Sequence, residues 1–168
     1  MTTIPARTLL ALAALAAAPL AHAFDAGGVA LGGNELDVKQ HYPSAYCKPL
    51  EWKTDAADRR CDDPQISFGG VGARITFYLK KTAVQAFFVR FDMKDLQALA
   101  AHLKAKYGKP LGEKTEVISE RGKPDRRIYK ARWEKGKGVA VLTGQLDKSQ
   151  GTLEVWRGDF ENQLYRVR

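Results

Sequence analysis

The chain has 168 residues, 45% hydrophobic and 27% charged, with a formal net charge of +8. That length suits one compact domain or two closely packed small ones. No segment supplies the roughly 20 consecutive apolar residues that a spanning helix needs, so no transmembrane helix is expected.

Residues 1–23, MTTIPARTLLALAALAAAPLAHA, have the three parts of an export leader. Arg7 is the positive flank, Leu9 to Leu20 the apolar stretch, and Ala21-His22-Ala23 the small-x-small cleavage site. A buried N-terminal helix is the competing reading. With the leader removed, the chain starts at Phe24 and carries 26 basic and 19 acidic residues. Residues 24–93 are neutral, with 9 of each sign, whereas residues 94–168 carry 17 basic and 10 acidic groups. A basic half points to an acidic partner or an anionic envelope surface.

In FDAGGVALGGNELDVKQHYP, paired glycines allow tight turns around Val29 to Leu31. Asn34 is a fitting N-cap, and Glu35 and Asp37 suit the positive end of a short helix from Glu35 to Tyr42 that Pro43 stops. Residues 44–65 lack a sustained pattern and are expected to be an irregular excursion anchored by Trp52. It holds both cysteines of the chain, Cys47 and Cys61. An isolated pair in an exported chain is read as a disulfide, with free thiols or shared metal ligation as alternatives. The spacing is not CxxC, which argues against a thiol–disulfide oxidoreductase.

Alternation predicts a strand with Ala73, Ile75, Phe77 and Leu79 on one face and Arg74, Thr76, Tyr78 and Lys80 on the other. After a turn over Lys80 to Ala83, a second strand from Val84 to Phe91 places Gln85, Phe87, Val89 and Phe91 together. Its other face carries Val84, Ala86, Phe88 and Arg90. Asp92 then caps a helix through Leu96, Leu99, Leu103 and Tyr107, ended by Gly108 and Pro110. Four strands follow: Val117 to Ser119, Arg127 to Glu134, Val139 to Gln145 and Thr152 to Trp156; a fifth is expected over Gln163 to Val167.

The order predicts an α+β fold, two helices packed on antiparallel sheet, with a tandem helix-plus-sheet repeat as one option. That option rests on YCKPLEWKTD at 46–55 and YGKPLGEKTE at 107–116, which share six of ten residues. Residues 24–168 are read as one compact domain, or as two subunits, 24–91 and 92–168.

GVALGGNELDVKQHYP resembles the glycine-led short helix ending in proline that starts small SmpA/OmlA (BamE-like) envelope domains. The helix-then-antiparallel-sheet order resembles the secreted beta-lactamase inhibitor protein fold group. The second resemblance implies a non-catalytic binding role and carries over no individual residues. BamE-like proteins are lipoproteins that begin at a lipidated cysteine, whereas Phe24 follows the cleavage site here.

Catalytic candidates after the leader are His41 and His102, and no GxSxG, HExxH or phosphate-binding glycine loop accompanies them. Each is read as structural or surface, with an enzyme using one of them and a nearby acid as the competing view. Asp62 and Asp63 next to Pro64 read as a turn rather than a Ca²⁺ site, which wants six or more oxygens. No metal and no cofactor is expected.

RGKPDRRIYKARWEKGK, residues 121–137, holds eight basic residues against Asp125 and Glu134. Alternation puts Arg127, Tyr129, Ala131 and Trp133 on one face and Ile128, Lys130, Arg132 and Glu134 on the other. Either the charges are merely solvated and discourage edge pairing, or Arg121, Lys123, Arg126, Lys130, Arg132, Lys135 and Lys137 bind an acidic protein or an anionic envelope component. Export makes nucleic acid an unsuitable partner. The function expected is macromolecular binding by a non-enzymatic periplasmic or secreted protein, as an inhibitor or accessory subunit. The alternative is an envelope-surface binder of anionic lipid or cell-wall glycan.

Overall fold

A computed structural model describes residues 24–164. The leader expected over residues 1–23, and the last three residues of the strand expected over Gln163 to Val167, lie outside the described residues. A small hairpin, β1 (Asp25–Ala26) and β2 (Val29–Ala30), leads into helix α1 (Glu35–His41). Strands β3 (Tyr46–Pro49), β4 (Arg59–Phe68), β5 (Val71–Lys80) and β6 (Ala83–Asp92) follow. A 3₁₀ turn, Met93–Asp95, opens into α2 (Leu96–Tyr107). Then come β7 (Gly112–Ile118), β8 (Arg126–Lys135), β9 (Gly138–Gln145), β10 (Gln150–Arg157) and the short α3 (Phe160–Leu164).

The main sheet has eight strands in the order β3-β4-β5-β6-β10-β9-β8-β7, all antiparallel. Two four-strand meanders therefore meet where β6 pairs with β10, from Gln150↔Asp92 to Trp156↔Ala86. A helix precedes each meander. The last three strands start at Arg59, Val71 and Ala83 in the first half and at Arg126, Gly138 and Gln150 in the second, a constant offset of 67 residues.

The helix starts follow from local chemistry. Asn34 Oδ1 accepts the Leu36 and Asp37 amides at 2.7 and 3.1 Å, while Asp37 Oδ2 accepts the Asn34 N–H at 2.7 Å. This capping box satisfies donors that the first turn leaves free. Asp92 accepts the Lys94 amide at 3.0 Å and caps the 3₁₀ turn. Gly108, at φ +85, ends α2 in a conformation that a side chain would strain.

One face of the sheet carries the core. Ile75, Phe77, Leu79, Phe87, Val89, Leu142, Leu153 and Trp133 pack with Val38 of α1, with Leu96, Leu99, Leu103 and Tyr107 of α2, and with Phe24 and Val29 of the hairpin. Each fully buried aliphatic side chain there stabilises by roughly 1.5–3 kcal/mol. The other face holds a smaller cluster, Ala56, Ala57, Ala86, Trp156, Phe160 and Leu164, beneath α3 and the 50–58 loop. Trp52 packs against this second cluster.

The α+β expectation of two helices packed on antiparallel sheet is overturned. The fold is mainly β: 51% of the described residues are in strands or bridges and 19% are helical. Most of the discrepancy comes from residues 44–65, expected to be irregular. They contain β3 and most of β4, clipped together where Cys47 and Cys61 face each other, with sulfurs 2.00 Å apart and Cα atoms 3.9 Å apart. β4 reads as a turn because Asp62, Asp63 and Pro64 sit in it. The ladder breaks register between Asp63 and Ile66, and such a bulge accommodates a proline that cannot donate to it.

A second bulge falls in β6. Tyr78 pairs with Ala86 but Leu79 with Val84, so Gln85 is extra and Val84 joins the core face opposite to the one alternation assigns it. Gln163 and Leu164, expected to begin a strand, belong to α3. The ten-residue sequence match does not mark equivalent positions. The helices start 61 residues apart, at Glu35 and Leu96, but α2 is longer. The shared phrase therefore opens edge strand β3 at Tyr46, which is 70% exposed, and closes α2 at Tyr107, which is 7% exposed.

Candidate functional site

Strand β8 has two unlike faces. Tyr129, Ala131 and Trp133 are buried. The Tyr129 hydroxyl donates to Glu113 Oε1 at 2.7 Å, and burial followed by that carboxylate pushes the phenol pKa up. Trp133 Nε1 donates to the Gly108 carbonyl at 2.8 Å, which ties β8 to the end of α2. Ile128, Lys130, Arg132 and Glu134 point away from this core, as alternation requires.

The seven cations of the 121–137 run do not form one patch. A ten-residue strand is about 33 Å long, so Arg121 and Lys137 lie at opposite ends. Lys123 lies 2.6 Å from Glu120, which also pairs with Arg126. Arg132 pairs with Glu134 at 2.8 Å. Lys135 turns to the helix side and sits over the Phe24 and Tyr107 rings at 6.0 and 5.7 Å. Lys137 lines a separate cleft with Arg157. Arg121 is exposed in the β7–β8 connection. Only Lys130 stands on the open face of β8 without an ion pair among the described residues.

Strand pairing supplies the neighbours that the run lacks. Arg74 faces Arg90, Arg90 faces Thr152, Thr152 faces Thr143, Thr143 faces Lys130, and Lys130 faces Lys114. These six residues form one row across the open face, five strand spacings or about 24 Å long. Each end of the row is a like-charged pair directly across two strands, an arrangement that costs stability. Among the described residues, Arg74, Arg90 and Lys130 enter no ion pair, while Lys114 pairs with Glu116.

Glu154 lies beside this row, half-buried and opposite Phe88 and Val141. Burial raises its pKa, Glu161 raises it further, and Arg90 and Lys130 work against them. Arg90 borders two depressions. One, of about 440 Å³, also holds Arg74 and Gln150. The other, of about 390 Å³, is lined by Trp52, Tyr78, Phe88 and Leu164. The face can thus present several charge-assisted hydrogen bonds beside an aromatic floor.

Alternation in the sequence already turns Arg74 and Arg90 away from the core. What it lacks is the pairing of β6 with β10, which brings these two arginines onto one sheet with Lys130 from the other half.

The histidines stand apart from this face. His41 Nδ1 donates to the Asp37 carbonyl at 2.9 Å, within its own helix. It lines a cleft of about 380 Å³ with Ser44, Ser67 and Asp63, but no hydrogen bond joins it to any of them. His102 packs edge-on against Phe68 with ring centres 6.2 Å apart. Asp62 accepts from Thr76 Oγ1 at 2.7 Å and forms a 2.9 Å ion pair with Arg60, whose Nε–H is not aligned to donate to it. Asp63 accepts the Gln65 amide at 3.1 Å inside the bulge. Among the described residues, no group of three or more His, Cys, Asp or Glu is placed to hold a metal ion. No helix among them is long and apolar enough to cross a membrane.

Comparison with family models, curated proteins and solved structures finds no match for this chain.

Proposed function

We propose that this is an exported, non-catalytic binding protein, an inhibitor or accessory subunit, which docks an acidic protein partner on the open face of its sheet. The observation that carries this reading is the row Arg74–Arg90–Thr152–Thr143–Lys130–Lys114, with like charges opposed at both ends. A face selected only for stability gains from opposite charges across strands and loses from like ones. Acidic side chains of a partner reverse that loss, and Arg presents a planar fork suited to carboxylates. The aromatic floor beside Arg90 supplies the apolar centre that protein interfaces use.

The leader pattern of residues 1–23 and the Cys47–Cys61 bond support action in the periplasm or outside the cell. The resemblance to secreted inhibitor proteins in element order supports the non-catalytic role. The test is capture from envelope extract with the wild-type protein and with an R74E/R90E/K130E variant. The expected result is a protein partner retained at low salt, released at high salt, and lost by the variant. Capture that the variant leaves unchanged overturns the reading, and so does pelleting with anionic vesicles or cell-wall glycan in the absence of any protein.

A further inference from the structure

At the opposite end of the sheet from Arg74 lies a cleft of about 610 Å³, a size that takes small-molecule ligands. Three cations converge on it from strand ends and a turn: Lys80 at the end of β5, Arg157 at the end of β10, and Lys137 in the β8–β9 turn. The backbone fixes their relation. Arg157 pairs with Gly138, and the Gly158 amide donates to the Lys137 carbonyl at 2.9 Å. The Lys81 amide donates to Asp58 Oδ2 at 3.0 Å and holds the turn beyond Lys80.

The guanidinium of Arg157 is oriented before any ligand arrives. Its Nε donates to Gln85 Oε1 at 3.1 Å, and its Nη1 lies so close over Gly32 that a Cβ there would come within 2.7 Å of it. The φ of +88 favours glycine at position 32, and a side chain there would push the guanidinium aside. Gly32 and Gly33 are themselves clamped to Val84 by amide–carbonyl bonds of 2.8 and 2.7 Å. Among the described residues, none of Lys80, Lys137 and Arg157 enters an ion pair. Of the two carboxylates on the rim, Asp159 accepts from Asn162 at 2.5 Å and Asp55 also has a partner.

We infer that this cleft is a phosphate site: Arg157, held by Gln85, supplies a charge-assisted N–H to one oxygen, and Lys80 and Lys137 close on the remaining oxygens as mobile point charges. A tetrahedral dianion fits such a set better than a monocarboxylate, because it gives each of the three cations an oxygen of its own. The site is separate from the open-face row. Thr152 and Arg157 are five residues apart on β10, about 17 Å.

The experiment is amide-resolved NMR titration of the oxidised protein with inorganic phosphate, glycerol phosphate and acetate. Sedimentation with phosphatidylglycerol and phosphatidylcholine vesicles runs alongside. Phosphate is expected to shift the amides of Lys80, Gln85, Lys137 and Arg157 saturably at millimolar concentration. Loss of affinity of about tenfold or more is expected for R157Q and, independently, for the surface variant K80Q/K137Q, whose folding does not depend on the Arg157 contacts. R74Q/R90Q/K130Q should bind phosphate unchanged, so failure of the open-face reading leaves this result standing. Tighter binding of glycerol phosphate assigns a soluble phosphate ester. Selective pelleting with phosphatidylglycerol, lost in K80Q/K137Q, assigns a lipid headgroup. Acetate matching phosphate, or shifts that survive both variants, overturns the proposal.

Discussion

The first half of the sheet is led by a seven-residue helix that buries only Val38, whereas the second is led by a 12-residue helix that buries Leu96, Leu99, Ala100, Leu103 and Tyr107. The same order of elements is thus held in place by different means. In the second half, α2 acts as a hydrophobic brace, and Tyr107 and Trp133 form an aromatic chain with Phe24. In the first half the brace is short. There the edge strand β3 is bonded covalently to β4, and Glu35 pairs with Arg59 at 2.9 Å, which ties α1 to the start of β4. The four-residue edge strand in the half with the short helix thus carries a cross-link, and the seven-residue edge strand in the half with the longer helix carries none.

Breaking the brace should have the largest effect. Trp133→Ala removes a buried indole and its bond to Gly108, and is expected to cost about 3–5 kcal/mol; Leu103→Ala is expected to cost about 2–5 kcal/mol. Denaturant unfolding measures both. Because β6 and β10 pair along their length, a single cooperative transition is expected. Two transitions would show that the halves are independent units, and the comparison would then describe two proteins rather than one sheet.

Removing the cross-link should come next. Cys47→Ala with Cys61→Ala is expected to cost about 3 kcal/mol by the chain-entropy relation. Hydrogen exchange should show the loss concentrated in β3 and the 50–58 loop, with β8 and β9 protected as before. Uniform loss across the sheet would mean that the bond does more than hold the edge.

The strengths of the sequence lay in elements with local causes. The capping box at Asn34, the apolar spacing of α2 and the alternation of β5 are each encoded within a few residues. β4 stayed hidden because its strand is interrupted by the consecutive Asp62, Asp63 and Pro64, which signal a turn in isolation and are accommodated here by a bulge. The candidate site was half legible. Residues 121–137 drew attention because cations cluster along the chain, yet the structure scatters them to both ends and both faces of β8. Arg74 and Arg90 lie in the half with no net charge, and a pairing between distant strands places them in the row. Charge along the chain is a one-dimensional signal, and the face is assembled perpendicular to it.

Two smaller changes sharpen the comparison, one within the first half and one at the seam between the halves. Arg74→Gln removes one member of a like-charged cross-strand pair with no carboxylate attached to it, so stability should rise by up to about 1 kcal/mol while partner capture weakens. A fall in stability would show that Arg74 has a favourable role within the fold.

The smallest effect expected is at Glu154, where strands of both halves contribute the surroundings. Phe88 and Arg90 come from the first half, Val141 and Lys130 from the second. Burial holds its pKa above the ordinary 4.5, with Glu161 adding to the shift. The folded state therefore binds this proton more tightly than the unfolded chain does. The associated stability is complete below the unfolded value and is lost as pH rises through the folded one. Glu154→Gln cannot ionise, so it should match the wild type in acid and exceed it at neutral pH, by a modest margin because solvent still reaches the carboxyl. Thermal melts of both proteins across that range measure the difference. An advantage for the wild type at neutral pH would mean that Arg90 and Lys130 outweigh burial. The seam would then be held by an ion triad spanning the two halves, and the cationic row would be partly neutralised before any partner arrives.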